Sequence, residues 1–445
     1  MIDRKSLKYI IEQLRAKQKY PQAKEILDIF AEQATTMEDY DTLGECAMIA
    51  QHHELRLKCA HFVYSSATTS KQLFDARENL YQCYNTLNYP EKALFYIDLN
   101  LQVKPNDTDT LLHKAFNLSL LGEKQKASEL IYALRDSTTD TKIKETIESS
   151  MSMELLRKGE TAKGIISFMN AGKKKNPLFE ERLKLKFWDG IAQPGKTIVI
   201  NGEGGIGDEF INIRFIKNLK DLGMNPIFFS SWSMFRPDTV KLFRRHGIEV
   251  TTTYNEFKPD YLWTHLMSLP GYLGLSENQL WREPYIFPLK QEKNKLSDKK
   301  FKIGIKCNGN PYFEQDIYRS IPIEDMLSIV PENCSVYYFD LDKEYPGTIS
   351  LKDKIKDWDD TLDYIDQMDI IISSCTSLVH AAGAMGKKTI VLVPIAKYYT
   401  WESTRTDNST PWYGDNFTVI EQSKPRCWKE PLEKAKQILL DYINS

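Results

Sequence analysis

Cysteine is scarce in this sequence and irregularly spaced. The 445 residues include seven cysteines, an odd number, and no two of them form a C-x-x-C pair. This spacing suggests neither a disulfide framework nor a zinc site, and it suits a reducing compartment.

Long apolar runs are also absent. No stretch approaches the roughly 20 consecutive apolar residues that cross a membrane. The N-terminal stretch MIDRKSLKYIIEQL has the pattern of a charged amphipathic helix and lacks the apolar core of a signal peptide. We therefore expect a soluble protein of the cytoplasm.

Neither positive nor negative residues are in large excess, and the formal net charge is -2. No overall field therefore draws the protein to nucleic acid or to an anionic membrane. The composition is that of a globular protein, with 42% hydrophobic and 27% charged residues. The length exceeds one ordinary hydrophobic core, so two or three domains are expected.

The first part of the chain, to about residue 175, has helical periodicity and an internal repeat. Four similar stretches each place a turn and a charged pair before a small residue and an apolar helix: KYPQAKEIL (19–27), NYPEKALFYI (88–97), LGEKQKASEL (121–130) and KGETAKGIISF (158–168). Ala93 and Ala127 are 34 residues apart, and Ala23 precedes Ala93 by 70. This period resembles that of tetratricopeptide repeats. An irregular helical bundle is the alternative, and either would offer a surface to a partner.

After about residue 180, short apolar runs alternate with helix patterns. The runs are TIVIN, NPIFFSS, IEVTT, FKIGIK, SVYYFDL, DIIISS, TIVLVP and FTVIE. Such alternation predicts parallel sheets covered on both faces, and the charged segment 283–300 is expected to link two of them. The predicted fold class is α plus α/β: a helical repeat domain (1–178), a first Rossmann-like domain (179–292) and a second Rossmann-like domain (293–445).

A glycine cluster follows the first of these strands, in the stretch IVINGEGGIGDEF (198–210). Gly202, Gly204 and Gly207 form G-x-G-x-x-G, but a dinucleotide site also needs an acid at the end of the next strand. NPIFFSSWS (225–233) has none, which disfavours an oxidoreductase. The glycines predict a tight turn with exposed N–H groups at a helix start. On this stretch alone Asp208 is equally a helix cap or a catalytic carboxylate.

Later stretches contain further polar groups that follow predicted strands. IGIKCNGNPYFEQDIYRSIP (303–322) has two asparagines and Arg319 after a strand, and DIIISSCTSLVHAAGAMGKK (369–388) has hydroxyl groups and His380 at a helix start. A helix N-terminus at the carboxyl edge of a parallel sheet is where α/β folds bind phosphate.

The ordered set of motifs resembles a known family. The glycine turn with its Asp, the SLP of WTHLMSLP (263–270), GNP…RSIP, the hydroxyl-and-His turn and R-x-D-x-x-x-P-W-Y (405–413) occur in the order found in bacterial and phage proteins that fuse tetratricopeptide repeats to a glycosyltransferase. The catalytic half is similar to heptosyltransferases and, more distantly, to protein O-GlcNAc transferases. The resemblance covers the chain from about Trp188 to about Glu421. It implies the GT-B fold, with a nucleotide sugar held mainly by the second Rossmann-like domain.

The resemblance also implies residue roles. Asp208 would be the general base of an inverting transfer that uses neither a metal ion nor a cofactor. The implied nucleotide-sugar-binding residues are Gly205, Gly207, Asn308, Asn310, Arg319, Thr376, Ser377, His380, Trp401, Arg405 and Asp407. Among these, Arg319 matches a basic position near the pyrophosphate, and Thr376, Ser377 and His380 match the pyrophosphate-binding turn. Relatives usually carry Asp where this chain has Cys375, which implies altered donor choice or weakened or absent activity.

The leading hypothesis is therefore a cytoplasmic glycosyltransferase of a bacterial cell or a phage. Its repeats would dock a macromolecular acceptor, which could be a protein, a glycan or a modified DNA base, or would form a homodimer. The alternative is a catalytically degenerate scaffold or binding protein. A DNA acceptor would need basic residues near Asp208; the candidates are Arg214, Lys217, Lys220, Arg236, Lys241, Arg244 and Arg245.

Overall fold

The structure is a computed structural model that describes residues 3–170, 178–230, 237–281, 283–310, 313, 316–341 and 343–444. Its helices are α1 (Arg4–Ala16), α2 (Tyr20–Ala31), α3 (Met37–Ile49), α4 (His53–Ser66), α5 (Ser70–Thr86), α6 (Pro90–Val103), α7 (Thr108–Leu120), α8 (Lys124–Ser137), α9 (Thr141–Ser150), α10 (Ser152–Arg157), α11 (Thr161–Asn170), α12 (Ile206–Asn212), α13 (Ile216–Asp221), α14 (Pro237–Arg245), α15 (Leu269–Tyr272), α16 (Glu277–Leu280), α17 (Asp316–Arg319), α18 (Ile323–Leu327), α19 (Trp358–Gln367), α20 (Ser377–Ala384) and α21 (Lys429–Ile443). Its strands are β1 (Lys186–Phe187), β2 (Thr197–Asn201), β3 (Asn225–Phe229), β4 (Val250–Thr251), β5 (Leu262–His265), β6 (Phe301–Lys306), β7 (Cys334–Tyr338), β8 (Ile349–Ser350), β9 (Ile370–Ser374), β10 (Thr389–Val393) and β11 (Phe417–Glu421).

The chain divides into two compact units. The first comprises Met1–Ser137 with two short later segments, Asn310–Tyr318 and Lys424–Arg426, and the second comprises Thr138–Gly309, Arg319–Ser423 and Cys427–Ser445.

The first unit consists of α1 to α8, with successive helices from α3 onward packed on one another. The repeated small residues Ala23, Ala93 and Ala127 are all buried, which lets neighbouring helices approach closely. The threonines before α3 and α5 each form a capping box at the helix start, and this satisfies backbone N–H groups that would otherwise lack acceptors. The predicted helical N-terminal region is confirmed.

The second unit contains two parallel sheets and the helices α9 to α11. The strand order is β1-β5-β2-β3-β4 in one sheet and β11-β10-β9-β6-β7-β8 in the other, and every recorded strand pair is parallel. All five residues of β9 and all five of β10 are buried, as expected for strands covered on both faces. The predicted fold class, a helical region followed by two Rossmann-like domains, is confirmed.

The charged segment between the sheets is anchored to the second sheet's helices. The carboxylate of Asp363 in α19 accepts hydrogen bonds from the backbone N–H groups of Lys290 and Gln291 at 2.6 and 2.9 Å. The buried Asn294 donates to Asp360 at 2.8 Å. The acidic face of α19 therefore fixes the path of the linker.

Within the part of the chain that the structure describes, no helix is both long and apolar enough to cross a membrane.

Candidate functional site

Asp208 lies on the first turn of α12, directly after the glycine cluster that follows β2. Gly204 adopts a left-handed conformation, with φ of 73°, which a glycine adopts without strain. An added Cβ there would lie 2.5 Å from Oδ2 of Asp208. The same oxygen accepts a hydrogen bond from the backbone N–H of Gly205 at 2.7 Å. The carboxylate therefore does cap the helix, and the glycine turn folds closely around it.

The surroundings of Asp208 favour its protonated form. Loss of hydration raises the pKa of Asp208 to about 6, although hydrogen bonds from Gly205 and the Tyr398 hydroxyl oppose the rise. The charge of Glu203 raises this pKa further, whereas that of Arg319 lowers it. A carboxyl group with a pKa near the working pH can take up a proton and release it again, as a general base must.

The start of α12 meets the start of α20, which follows the strand β9 of the second sheet. An added Cβ on Gly207 would lie 2.8 Å from Cδ2 of His380 and 3.4 Å from the Cα atom of Ser377. Thr376 precedes α20 as its N-cap residue, and its hydroxyl oxygen is 3.4 Å from that of Ser373. The structure thus brings Gly207, the neighbour of Asp208 in the chain, against Ser377 and His380 at the hydroxyl-rich start of α20.

His380 is buried and held on two sides. Its Nδ1 atom is 2.9 Å from the hydroxyl oxygen of Tyr413, and its ring stacks on Trp401 with centroids 5.3 Å apart and planes at 16°. Burial, together with the charges of Arg319 and Arg214, lowers the pKa of His380 to about 3. The imidazole is therefore neutral at physiological pH.

Arg319 supplies positive charge to this region. Its Nη1 atom donates to the backbone carbonyl of Cys375 at 2.6 Å, and its charge acts on Asp208 and His380. Cys375 is buried, and its sulfur accepts a hydrogen bond from Nε1 of Trp401 at 2.7 Å. Burial raises the pKa of the Cys375 thiol, so a neutral thiol stands beside Arg319.

Some predicted residues are not joined to this cluster by recorded contacts. Arg405 and Asp407 are exposed, and both bond to Ser409 within their own loop. Asn308 follows β6 and has a buried Oδ1 atom with no hydrogen-bond partner among the described residues. Asn310 belongs to the segment that groups with the helical unit.

The structure adds three residues that the sequence analysis did not single out. The Tyr398 hydroxyl lowers the pKa of Asp208, the Tyr399 hydroxyl lies 3.3 Å from Nδ2 of Asn212, and the Tyr285 hydroxyl donates to the carbonyl of Phe210 at 2.8 Å. Two of these tyrosines open the stretch YYTWESTR, but no periodicity marks them as partners of Asp208. Only tertiary packing joins residues so far apart in the chain.

A second polar pair lies at the carboxyl edge of the first sheet. Asn201 and His265 are paired across β2 and β5, and Nδ1 of His265 is 2.8 Å from Oε2 of Glu203. Glu203 also acts electrostatically on Asp208. The residues described include no group of three His, Cys, Asp or Glu side chains arranged to hold a metal ion.

Solved structures align with this chain at low sequence identity and low TM-score. No protein-family model matches the chain, and no curated protein matches it. Among solved structures, a glycosyl transferase of family 9 from Veillonella parvula aligns with 57% of this chain and 91% of its own, at 10% identity and a TM-score of 0.34. An O-GlcNAc transferase mutant from Thermobaculum terrenum aligns with 92% of this chain and 94% of its own, at 11% identity and a TM-score of 0.34. Full-length LpoA from Haemophilus influenzae aligns with 83% of this chain and 77% of its own, at 11% identity and a TM-score of 0.22.

Proposed function

We propose that this protein is a glycosyltransferase that moves a sugar from a nucleotide-sugar donor to a hydroxyl group of a macromolecular acceptor. One observation carries the proposal. Asp208, a carboxylate with a raised pKa, lies at the start of α12 where that helix meets the start of α20, and the guanidinium of Arg319 donates to the carbonyl of Cys375, just before the start of α20. Proton removal and neutralisation of a leaving group need these two groups.

In the proposed reaction Asp208 is the general base. The acceptor oxygen attacks the anomeric carbon, its proton passes to the carboxylate of Asp208, and the bond from that carbon to the diphosphate oxygen breaks. Attack opposite the leaving group inverts the anomeric configuration. The backbone N–H of Gly205 holds the carboxylate in place through its hydrogen bond, which supports a fixed geometry for proton transfer.

The leaving nucleoside diphosphate would be stabilised from the second sheet. Arg319 offers a planar set of N–H donors that suits phosphate oxygens. The first turn of α20, with the hydroxyl groups of Thr376 and Ser377, offers backbone N–H groups and the positive end of the helix dipole. We propose that these groups bind the diphosphate without help from a metal ion or another cofactor.

The acceptor is proposed to be a protein or a glycan. Five of the seven basic residues considered for DNA already bond within the fold: Arg214 to Trp412, Lys220 to Gly247, Lys241 and Arg245 to Asp359, and Arg244 to Val250. Arg236 lies outside the described residues. Packed successive helices in the first unit are typical of repeat proteins with extended binding surfaces, which supports a macromolecular partner or a second copy of the chain.

Nucleotide titration tests the proposal. We expect one of UDP, ADP and GDP to raise the melting temperature in buffer containing a chelator, since the proposed diphosphate ligands are all protein groups. A rise with NAD alone would instead support an oxidoreductase. A protein stabilised by none of these nucleotides would be a degenerate scaffold, and the proposal would be wrong.

A further inference from the structure

The helices α10 and α11 share a hydrophobic core with the two sheets. They belong to the same compact unit as the sheets, and Leu156 of α10 and Ile165 of α11 are buried in the cluster that also contains Trp401. The approach of α11 to α15 is close, since a Cβ added at Gly271 would lie 2.7 Å from Cγ1 of Ile166. These two helices are therefore part of the framework that surrounds the candidate site.

The ring of Phe168 connects α11 to the segment 397–404, which follows β10. It stacks on Tyr399 with centroids 4.6 Å apart and planes at 30°. Nδ2 of Asn212 donates to the Tyr399 hydroxyl at 3.3 Å and to the backbone carbonyl of Asp208 at 2.9 Å. An amide nitrogen carries two protons, so it can make both bonds. Tyr399 therefore links α11 to the turn of α12 that carries Asp208.

An ion pair connects α10 to the same segment. Nη1 of Arg157, the last residue of α10, lies 3.1 Å from Oε1 of Glu402. The other carboxylate oxygen of Glu402 lies 3.4 Å from Nζ of Lys397. Glu402 is buried, and a buried carboxylate needs such partners because burial removes its hydration. The pair thus holds the residue that directly follows Trp401.

The middle of this segment packs against the start of α20. Trp401 stacks on His380 with planes at 16°, and its Nε1 donates to the sulfur of Cys375 at 2.7 Å. Among the recorded contacts of the described residues, the ion pair of Arg157 and the ring contacts of Phe168 are all with this segment. Both side chains would therefore act on the site through the segment.

We propose that Phe168 and Arg157 are positioning residues, which hold the segment 397–404 so that its aromatic side chains support the proposed base and the proposed diphosphate site. The two residues act at different points. Phe168 supports Tyr399 and the turn of α12. Arg157 supports Trp401 and the start of α20. This inference rests on the glycosyltransferase function proposed above.

Two substitutions separate these effects. Phe168→Leu removes the stacked ring, and we expect it to lower kcat about tenfold because the base is placed less precisely, with affinity for the diphosphate within about twofold of wild type. Arg157→Met removes the charge of a side chain that is 30% exposed. We expect it to weaken diphosphate binding about fivefold, with kcat nearly unchanged. The probes are UDP, ADP and GDP, titrated calorimetrically, and UDP-glucose, ADP-glucose and GDP-mannose, followed by release of the diphosphate.

Matched variants control for general effects on α10 and α11. Arg157→Lys keeps a charge near Glu402 and should retain most of the affinity. Lys163→Met removes a cation of α11 that pairs with Glu160, and Met169→Leu changes a side chain of α11 that packs on the same core. Neither of these two variants should change kcat or affinity.

Hydrogen–deuterium exchange checks the structural step without any measurement of activity. We expect faster exchange of backbone amides in the segment 397–404 in both Phe168→Leu and Arg157→Met. Unchanged exchange there in both variants would overturn this inference and leave the proposed function standing. Equal losses of kcat and affinity in both variants would also overturn it, since they would indicate general destabilisation. Failure of the wild-type protein to bind or turn over any of the six probes would overturn the proposed function and this inference with it.

Discussion

Gly207 and His380 touch across the meeting point of the two Rossmann-like domains. A single added carbon on Gly207 would lie 2.8 Å from Cδ2 of the imidazole, closer than side-chain carbons approach in folded proteins. The φ of Gly207 is not in the left-handed region, so its backbone conformation does not require a glycine. The close approach of α12 and α20 does require one.

Substitution of Gly207 by Ala should therefore disturb the site through packing. His380 cannot yield easily because Tyr413 and Trp401 hold it, so we expect Gly207→Ala to lower the free energy of unfolding by about 1–3 kcal/mol and to weaken nucleotide binding. Gly205→Ala is the comparison for stability, since a Cβ added at Gly205 would have its nearest neighbouring atom 3.5 Å away. Equal losses of unfolding free energy in urea would contradict a contact specific to Gly207.

Asp208→Asn separates the capping role of this residue from its proposed chemistry. The amide oxygen of Asn can still accept the hydrogen bond from Gly205, but the side chain cannot take up a proton. We expect turnover of the nucleotide sugar to fall by about 10²–10⁴-fold, with affinity for the nucleoside diphosphate nearly unchanged. Asp107→Asn is the matched control, because Asp107 caps α7 through the backbone N–H of Thr110 at 3.1 Å in the other unit. Full turnover by Asp208→Asn would leave capping as the whole role of the residue.

The pKa of Asp208 also predicts a pH dependence of stability. The carboxyl group titrates near pH 6 in the folded protein and near its ordinary value of 3.8 when unfolded, so the folded state binds its proton more tightly. Stability from this group is therefore greatest at low pH and declines as the pH rises from about 4 to about 6. Asp208→Asn has no such titration. We expect its melting temperature to match that of wild type near pH 4 and to exceed it above pH 6. A constant difference across this range would show that the pKa is not raised.

Parts of the fold could be predicted because they depend on local patterns. Strands buried on both faces consist of almost unbroken apolar residues, as in TIVIN and TIVLVP, and the repeated alanines mark helices that pack closely. The linker shows the limit of such patterns. Its many charges predict an exposed loop, but Asp363, about 70 residues further on, binds its backbone N–H groups. Local composition does not reveal a distant partner.

The same limit applies to the site. The residue pattern predicted that Asp208 lies at one helix start and that Thr376 and Ser377 lie at another, because glycine clusters and hydroxyl residues favour turns and caps. It could not reveal that the Tyr398 hydroxyl acts on Asp208, nor that His380 is hydrogen-bonded to Tyr413. These residues are 190 and 33 positions apart in the chain, and residue spacing does not encode such distant partners.

Arg319→Lys tests whether the shape of the guanidinium matters as well as its charge. Lysine keeps the positive charge but loses the planar set of donors that can bond to a backbone carbonyl and a phosphate together. We expect affinity for the stabilising nucleoside diphosphate to fall about tenfold, measured by calorimetry. Arg214→Lys is the control. The Cζ atom of Arg214 lies 5.0–5.8 Å from the centroids of five aromatic rings, so this substitution should lower the melting temperature more than it changes nucleotide affinity. Unchanged affinity in Arg319→Lys would remove this residue from the proposed diphosphate site.

Cys375→Asp tests the departure of this chain from the pattern of the glycosyltransferases that its motifs resemble. The sulfur of Cys375 accepts a hydrogen bond from Trp401, interacts with Arg319, and lies within electrostatic reach of Asp208. A carboxylate there could accept the same hydrogen bonds, but it would add a negative charge near the proposed base. Because a like charge disfavours ionisation, the pKa of Asp208 should rise above about 6.

Turnover requires the ionised carboxylate, so the rise of kcat/KM with pH should move to higher pH in Cys375→Asp. Cys375→Ser adds no charge and should keep the midpoint near that of wild type. If the aspartate and serine variants gave the same midpoint, a charge at position 375 would have no electrostatic effect on the proposed base. Any effect of this position on activity would then come from the shape of the donor pocket.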